Sequence, residues 1–214
     1  MNTSILFRLG ALALSGFLVF GSAHAQSEAL PTACGETVDA PAAQALSRSE
    51  CKARIRMANA ALAQNRYDES SLQIRAQAML QLRNYDEAIL DLTTLLRKQP
   101  ANAELYYQRG LAQLRAGNAT PAISDFNKVL RYNPEHKNAV LARGLARMQT
   151  ENYRGALPDL NRVVNMDAQC AEAYEYRAIC YSELGKEEEA RQQMAMAVQL
   201  NPDAAKSLRR YGLR

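Results

Sequence analysis

The chain has no tryptophan and only two histidines in 214 residues. That excludes any site needing a cluster of imidazoles, such as a three-histidine zinc centre. Glycine (10) and proline (7) are scarce, too scarce for the many turns of a β-sandwich or barrel. The four cysteines include no C-x-x-C spacing, so no thiol redox motif is present. Charge of either sign is not in marked excess: 26 Lys and Arg face 22 Asp and Glu, a formal net charge of +4. That surplus is too small to argue for nucleic acid, and the balance, with 48% hydrophobic residues, is wrong for a wholly disordered chain. What abounds is alanine (37) and leucine (27), both strong helix formers. The length allows one or two domains with a proper core. Composition therefore predicts an all-α chain, with no catalytic residue, metal or cofactor expected.

Long apolar runs are also lacking. Residues 1–25 read MNTSILFRLGALALSGFLVFGSAHA: Arg8, then an uncharged stretch from Leu9 to Phe20, then Ala23-His24-Ala25. About a dozen apolar residues is short for a bilayer span of roughly 20. The segment resembles a bacterial Sec signal peptide cleaved after Ala25, against the alternative of an uncleaved anchor. It implies a periplasmic or secreted protein with no transmembrane segment after cleavage. No cysteine stands immediately after the cleavage point, where Gln26 lies, so no lipoprotein anchor is expected. Removing His24 would leave His136 as the only histidine.

The organising feature is a period of 34. Ala88, Ala122, Ala156 and Ala190 share it, as do Ala76, Gly110, Gly144 and Ala178, and Leu92, Phe126, Leu160 and Met194. Arg75, Arg109, Arg143 and Arg177 follow the same interval, and so do Pro100, Pro134 and Pro202, with Ala168 in the third place. Repeats of this kind mean stacked supersecondary units. They run 69–102, 103–136, 137–170 and 171–204. Within one unit, LYYQRGLAQLRAG (105–117) and PAISDFNKVLRYN (121–133) carry apolar residues at helical spacing, with Gly117-Asn118 as the turn. Pro134 ends the second helix. The small residues of the 76/110/144/178 column are expected to face those of the 88/122/156/190 column, letting paired helices approach closely.

This pattern resembles the tetratricopeptide repeat in its Arg-Gly variety, with Gly110, Ala122, Phe126, Val129 and Pro134 at family positions. The resemblance implies an α-α superhelix, a solenoid of four helix pairs with capping helices at both ends. Gln113 and Arg147 stand where the family often has Tyr, and Ala168 replaces a proline, which predicts a looser turn there. Upstream, residues 47–68 open on the capping-box pattern Ser47-Arg48-Ser49-Glu50 and read as an N-terminal capping helix, a degenerate half repeat. Residues 26–46 read as a flexible leader, and 205–214 as a C-terminal capping helix.

Several residues invite a chemical reading. The arginines Arg75, Arg109 and Arg143 lie 16 residues before Asp91, Asp125 and Asp159, while Arg177 has Gln193 there. A repeated feature points to structural ion pairs within or between units rather than to an active site, and Arg177 is the least neutralised. Cys34 and Cys51 are the expected disulfide, because the leader can fold back on the first helix. Cys180 shares the column of Ala78, Ala112 and Ala146, a small buried position. Cys170 and His136 occupy one repeat position in adjacent units, the basis of an alternative reading as a thiol-dependent enzyme or redox factor. No orienting group or oxyanion hole accompanies them.

In the family resembled, the first helix of each pair lines a concave groove. Carried over, the partner-groove positions include Gln73, Gln77 and Leu80; Tyr107, Leu111 and Leu114; Leu141, Leu145 and Met148; and Glu175 and Ile179. Their apolar centre and polar ends fit an amphipathic helix or extended segment. The alternative is that Leu111, Leu145 and Ile179 pack within the stack. The family's Lys/Asn/Arg clamp for C-terminal carboxylates is absent. Lys206, Arg209, Arg210 and Arg214 form a basic end, read as a solvated face or a contact for anionic lipid. The expected function is a non-catalytic scaffold or adaptor for a protein or peptide partner, in assembly of a cell-envelope complex. Nucleic acid is not expected, and self-association as a structural protein is the other alternative.

Overall fold

The computed structural model describes residues 46–204, and among these it has nine α-helices and no strand. Helix α1 (Arg48–Gln64) opens on the capping box: the Glu50 N–H donates to Ser47 Oγ at 3.2 Å, and the Ser47 N–H donates to the Glu50 carboxylate at 2.7 Å. Four pairs follow: α2 (Glu69–Gln81) with α3 (Tyr85–Lys98), α4 (Ala103–Arg115) with α5 (Ala119–Tyr132), α6 (Lys137–Gln149) with α7 (Tyr153–Met166), and α8 (Ala171–Glu183) with α9 (Glu187–Leu200). A 3-10 turn, Pro202–Ala204, closes the described chain and packs Ala204 under the last pair. No described helix is long and apolar enough to cross a membrane.

The turn inside each pair is built one way throughout. Arg83, Gly117, Glu151 and Gly185 all have positive φ, between 59° and 82°. The next residue's N–H then reaches back to a carbonyl five positions earlier, as in Asn118 to Gln113 at 2.8 Å. This left-handed cap satisfies the helix's last carbonyls, and glycine suits it best. Two of the four units place a side chain there instead.

The turn between pairs is expected to loosen at Ala168. It does not. Helix α7 ends in phase with α3, α5 and α9, and the Cys170 N–H donates to the Asp167 carbonyl at 3.3 Å, as His136 does to Asn133. Asp167 supplies what the proline lacks: its carboxylate accepts the Gln169 N–H at 2.9 Å and Lys137 Nζ at 3.0 Å. Burial pushes the Asp167 carboxyl up, but these two partners outweigh it and hold it below the usual range.

Each helix packs on its neighbours in the chain. In addition α4 touches α6 and α6 touches α8, so α4, α6 and α8 form a continuous inner layer, with the second helices outside it. Between the layers lies the core, with Leu92, Phe126, Leu160 and Met194 wholly buried. Here the expected facing of small residues is corrected. A Cβ on Gly110 would stand 2.7 Å from Phe126 Cε1, and one on Gly144 would stand 3.2 Å from Leu160 Cδ2. The glycines thus make room for the large residue of the second helix, not for the alanine column one turn before it.

Residues 1–45 and 205–214 are outside the described residues. The signal peptide, the leader with Cys34, and the basic terminal helix therefore stand as expectations from sequence.

Candidate functional site

The arginine column builds the same junction three times. Arg109 Nε and Nη2 fork onto both Asp125 oxygens at 2.7 Å, while Nη1 donates to Thr93 Oγ1 at 3.0 Å. Arg75 grips Asp91 and Asn59, and Arg143 grips Asp159 and Asn127, with distances between 2.6 and 3.0 Å. The aspartate lies 16 residues after the arginine and the Asn or Thr 16 before it, so one guanidinium ties three consecutive helices. The hydrogen bonds they donate to Asp91 and Asp125, set against some desolvation, raise Arg75 and Arg109 above their ordinary range. The third junction has an extra member: Arg147 Nη1 also donates to Asp159, at 2.7 Å, and to the Gly155 carbonyl at 2.9 Å.

In the fourth unit the fork is missing. Arg177 Nε and Gln193 Oε1 are both buried without a hydrogen-bond partner, and the guanidinium sits 5.6 Å over the Tyr174 ring. The preceding-repeat partners Asn59, Thr93 and Asn127 were not singled out from sequence. Their own 34-residue spacing was the available signal. Arg147 was noticed only as a departure from the family pattern. Its position one turn after Arg143 puts both on one helix face.

The groove positions separate into two groups. Leu114, Leu141, Met148 and Ile179 are at most 3% exposed and belong to the cores around Phe126 and Leu160. For Ile179, packing within the stack is the better description. Tyr107, Leu111 and Leu145 are half-buried and lie against those cores. Gln73 and Gln77 on α2 are exposed, while Leu80 and Glu175 are half-buried. The surface left for a ligand is thus a narrow apolar strip on α4 and α6, flanked by polar residues on α2 and α8. Burial, with the Glu104 charge adding and Arg115 opposing, pushes the Tyr107 phenol up to about 12. At neutral pH its hydroxyl is therefore a hydrogen-bond donor.

The expected Cys34–Cys51 disulfide is corrected on the Cys51 side. Cys51 is a free, buried thiol whose Sγ lies 3.2 Å from Gln81 Oε1, so α1 packs on α2 without a staple. Cys34 lies outside the described residues. Cys180 is free and buried, and burial together with Glu183 pushes its thiol up to about 12. Cys170 is fully buried at the N-cap of α8, its Sγ 3.8 Å from a Glu172 carboxylate oxygen. His136 caps α6, its Nδ1 accepting the Ala139 N–H at 3.2 Å, with its ring 4.7 Å from that of Tyr107. His136 Nδ1 is thus engaged in the cap of α6. Among the described residues no cluster of His, Cys, Asp and Glu could hold a metal ion.

A family model described as tetratricopeptide repeat matches residues 75–137, 107–153 and 141–205. Similar solved structures include MamA, at 18% identity and a TM-score of 0.67, over 74% of this chain and 93% of that one. A MamA fragment from Desulfovibrio magneticus RS-1 matches at 28% identity and a TM-score of 0.60, over 63% and 76%. YrrB, described as a repeat protein with an unusual peptide-binding site, matches at 21% identity and a TM-score of 0.56, over 79% and 86%. No curated protein sequence matches the chain.

Proposed function

The chain belongs to the tetratricopeptide repeat family, and from that premise we propose that it is a non-catalytic scaffold that holds a segment of another protein on its inner face. The carrying observation is the half-buried strip of Tyr107, Leu111 and Leu145 on two first helices that touch, between the exposed glutamines of α2 and Glu175 of α8. Such a strip takes an amphipathic helix or extended segment whose apolar centre is about two or three residues long. The charged columns do not compete for this role, since three of the four arginines spend their donors inside the stack. The Sec-like first 25 residues support a site of action in the cell envelope, as an adaptor in assembly of an envelope complex.

The test is crosslinking and affinity capture from the producing cell, comparing wild type with Leu111→Glu/Leu145→Glu. The double variant is expected to lose the captured partners while its circular dichroism stays helical; an identical partner set would refute the groove reading. A second reading, self-association, draws on apolar side chains of α1, α3 and α5: Met57 is 74% exposed, Leu90 67% and Tyr132 47%. Light scattering across a concentration series separates monomer from oligomer.

A further inference from the structure

The cleft between consecutive second helices recurs over α2, α4, α6 and α8, with α1 in the place of a second helix at the first of them. Three of the four clefts are filled by the chain itself. Over α4, the half-buried Tyr106 stacks on Tyr132 with ring centroids 6.5 Å apart, and the Arg109 guanidinium lies 5.7 Å from its centre. Over α8, in the same column of the repeat, Tyr174 is 9% exposed and has Arg177 at 5.6 Å. Over α6 the column holds Val140, wholly buried, and Arg162 reaches across the cleft to the Pro134 carbonyl at 2.6 Å and to Glu135 at 3.1 Å.

The first cleft has a smaller residue at each of these places. Leu72 stands in the column of Tyr106 and Tyr174, and Ala63 in that of Arg97 and Arg131. Thr94 stands in the column of Arg162, and its hydroxyl turns back to donate to the Leu90 carbonyl of its own helix at 3.0 Å. What remains is a cavity of about 510 Å³ between α1 and α3, with Leu62, Leu72 and Arg75 among its walls and Tyr67 and Leu90 at its edge. Ligand cavities commonly measure about 300–1,000 Å³.

We propose that this cavity is a second docking site, separate from the inner strip, and that it takes an aromatic side chain with acidic neighbours from a segment of another protein. The chain supplies the template for the ring. At two of the other clefts the same column is a tyrosine set against the arginine three residues on, and Arg75 is the arginine that lacks one. Its donors are spent on Asp91 and Asn59, which fixes the guanidinium in place and leaves its face for a ring to cover. The Arg75 side chain is 24% exposed, against 18% for Arg109 beneath Tyr106. Two large apolar side chains are also left in water at the cavity, Leu90 at 67% and Tyr67 at 49% exposed.

Charge selects the neighbours of the ring. Lys98 is already engaged, with Glu69 at 3.5 Å and the Tyr67 carbonyl at 2.7 Å. Arg66, which lines the cavity and lies 5.1 Å over the Tyr67 ring, has no carboxylate partner among the described residues. Asp91 is neutralised by Arg75, so the lining carries one uncompensated positive charge, and a carboxylate beside the incoming ring meets it.

The test is methyl-resolved NMR of the full chain, titrated with the capped tripeptides Asp-Tyr-Asp, Asp-Leu-Asp and Lys-Tyr-Lys. Asp-Tyr-Asp is expected to give saturable shifts at the Leu62, Leu72 and Leu90 methyls. The other two are expected to bind about tenfold more weakly, the order expected for losing a ring against an arginine or a charge contact. Leu72→Tyr, which installs the side chain of the second and fourth clefts, is expected to abolish those shifts. Ala63→Arg, at an exposed position, is expected to do the same and guards against misfolding of the first variant. Leu111→Glu/Leu145→Glu is expected to leave them unchanged, so failure here and failure of the inner strip are told apart. Absence of saturable shifts, equal binding of the leucine or lysine peptide, or binding that survives both plugging variants overturns the site. Shifts at Leu111 and Leu145 instead would put the peptide on the inner strip and overturn the second site. Shifts at the cavity methyls on concentrating the protein alone would make a second copy the occupant and overturn the assignment to another protein.

Discussion

Glu151 adopts a φ of 59° at a position where two of the four units have glycine. A side chain in the left-handed region costs about 1–2 kcal/mol, and Glu151 is exposed, so it forms no packing that offsets the cost. Glu151→Gly is therefore expected to raise the thermal midpoint, by about 2–4 °C for a chain of this size, in a calorimetric scan. Gly110 presents the opposite case. Its added Cβ would stand 2.7 Å from the ring of Phe126, a fully buried side chain. Gly110→Ala is expected to lose about 1–3 kcal/mol to overpacking, partly offset by the better helix propensity of alanine, about 1 kcal/mol. Gly144→Ala, with 3.2 Å to a leucine methyl, should cost less. Urea unfolding of both variants, and of Gly110→Ala with Phe126→Leu, checks the ranking; equal losses at the two glycines would remove the steric explanation. Spacing alone assigned each glycine to a face shared with the second helix. It did not say which residue of that helix comes closest, because a period fixes direction around a helix and not depth between two.

At the scale of the helix pair, the arginine junction decides how units join. Asp125 is 4% exposed and takes both oxygens' bonds from Arg109, which also holds Thr93 of the preceding pair. Asp125→Ala leaves a largely buried cation without its counter-charge and is expected to destabilise by about 3 kcal/mol. Adding Arg109→Met is expected to restore part of that loss, since a buried pair removed together costs less than either half removed alone. The double-mutant cycle in chemical unfolding measures it; strictly additive losses would mean the fork contributes no coupling. The four helix pairs and the Arg–Asp columns were legible because they recur, and recurrence multiplies a weak local signal. The recurring partners Asn59, Thr93 and Asn127 were missed because their column mixes two residue types, and two further missed features are single-copy: Arg147 joining Asp159, and Asp167 firming the turn at Ala168. Each depends on a contact between side chains that sequence spacing leaves undetermined. The groove was legible only as a face; four of its eleven expected residues belong to the core, because a first helix packs on both its own partner and the second helix of the preceding pair.

Over the whole molecule, the proposed binding face coincides with the layer in which α4, α6 and α8 touch. These helices carry the strip of Tyr107, Leu111 and Leu145, and on the groove reading substitutions there are expected to act on binding with little effect on folding. Leu111→Glu/Leu145→Glu is expected to leave the unfolding midpoint within a few degrees of wild type, since both side chains are already partly in water. A collapse of helicity in that variant would place these leucines with the core.

First helices touch across units, α4 on α6 and α6 on α8, more closely than second helices approach one another, and this gives the solenoid an uneven compliance. Bending that spreads the outer layer strains few contacts, whereas bending that parts the inner layer must open helix against helix. Such a body flexes toward a tighter curl more easily than toward a straight rod. A segment laid along its hollow is therefore gripped by a wall that closes readily and opens stiffly, and it leaves more easily from the ends than from the middle.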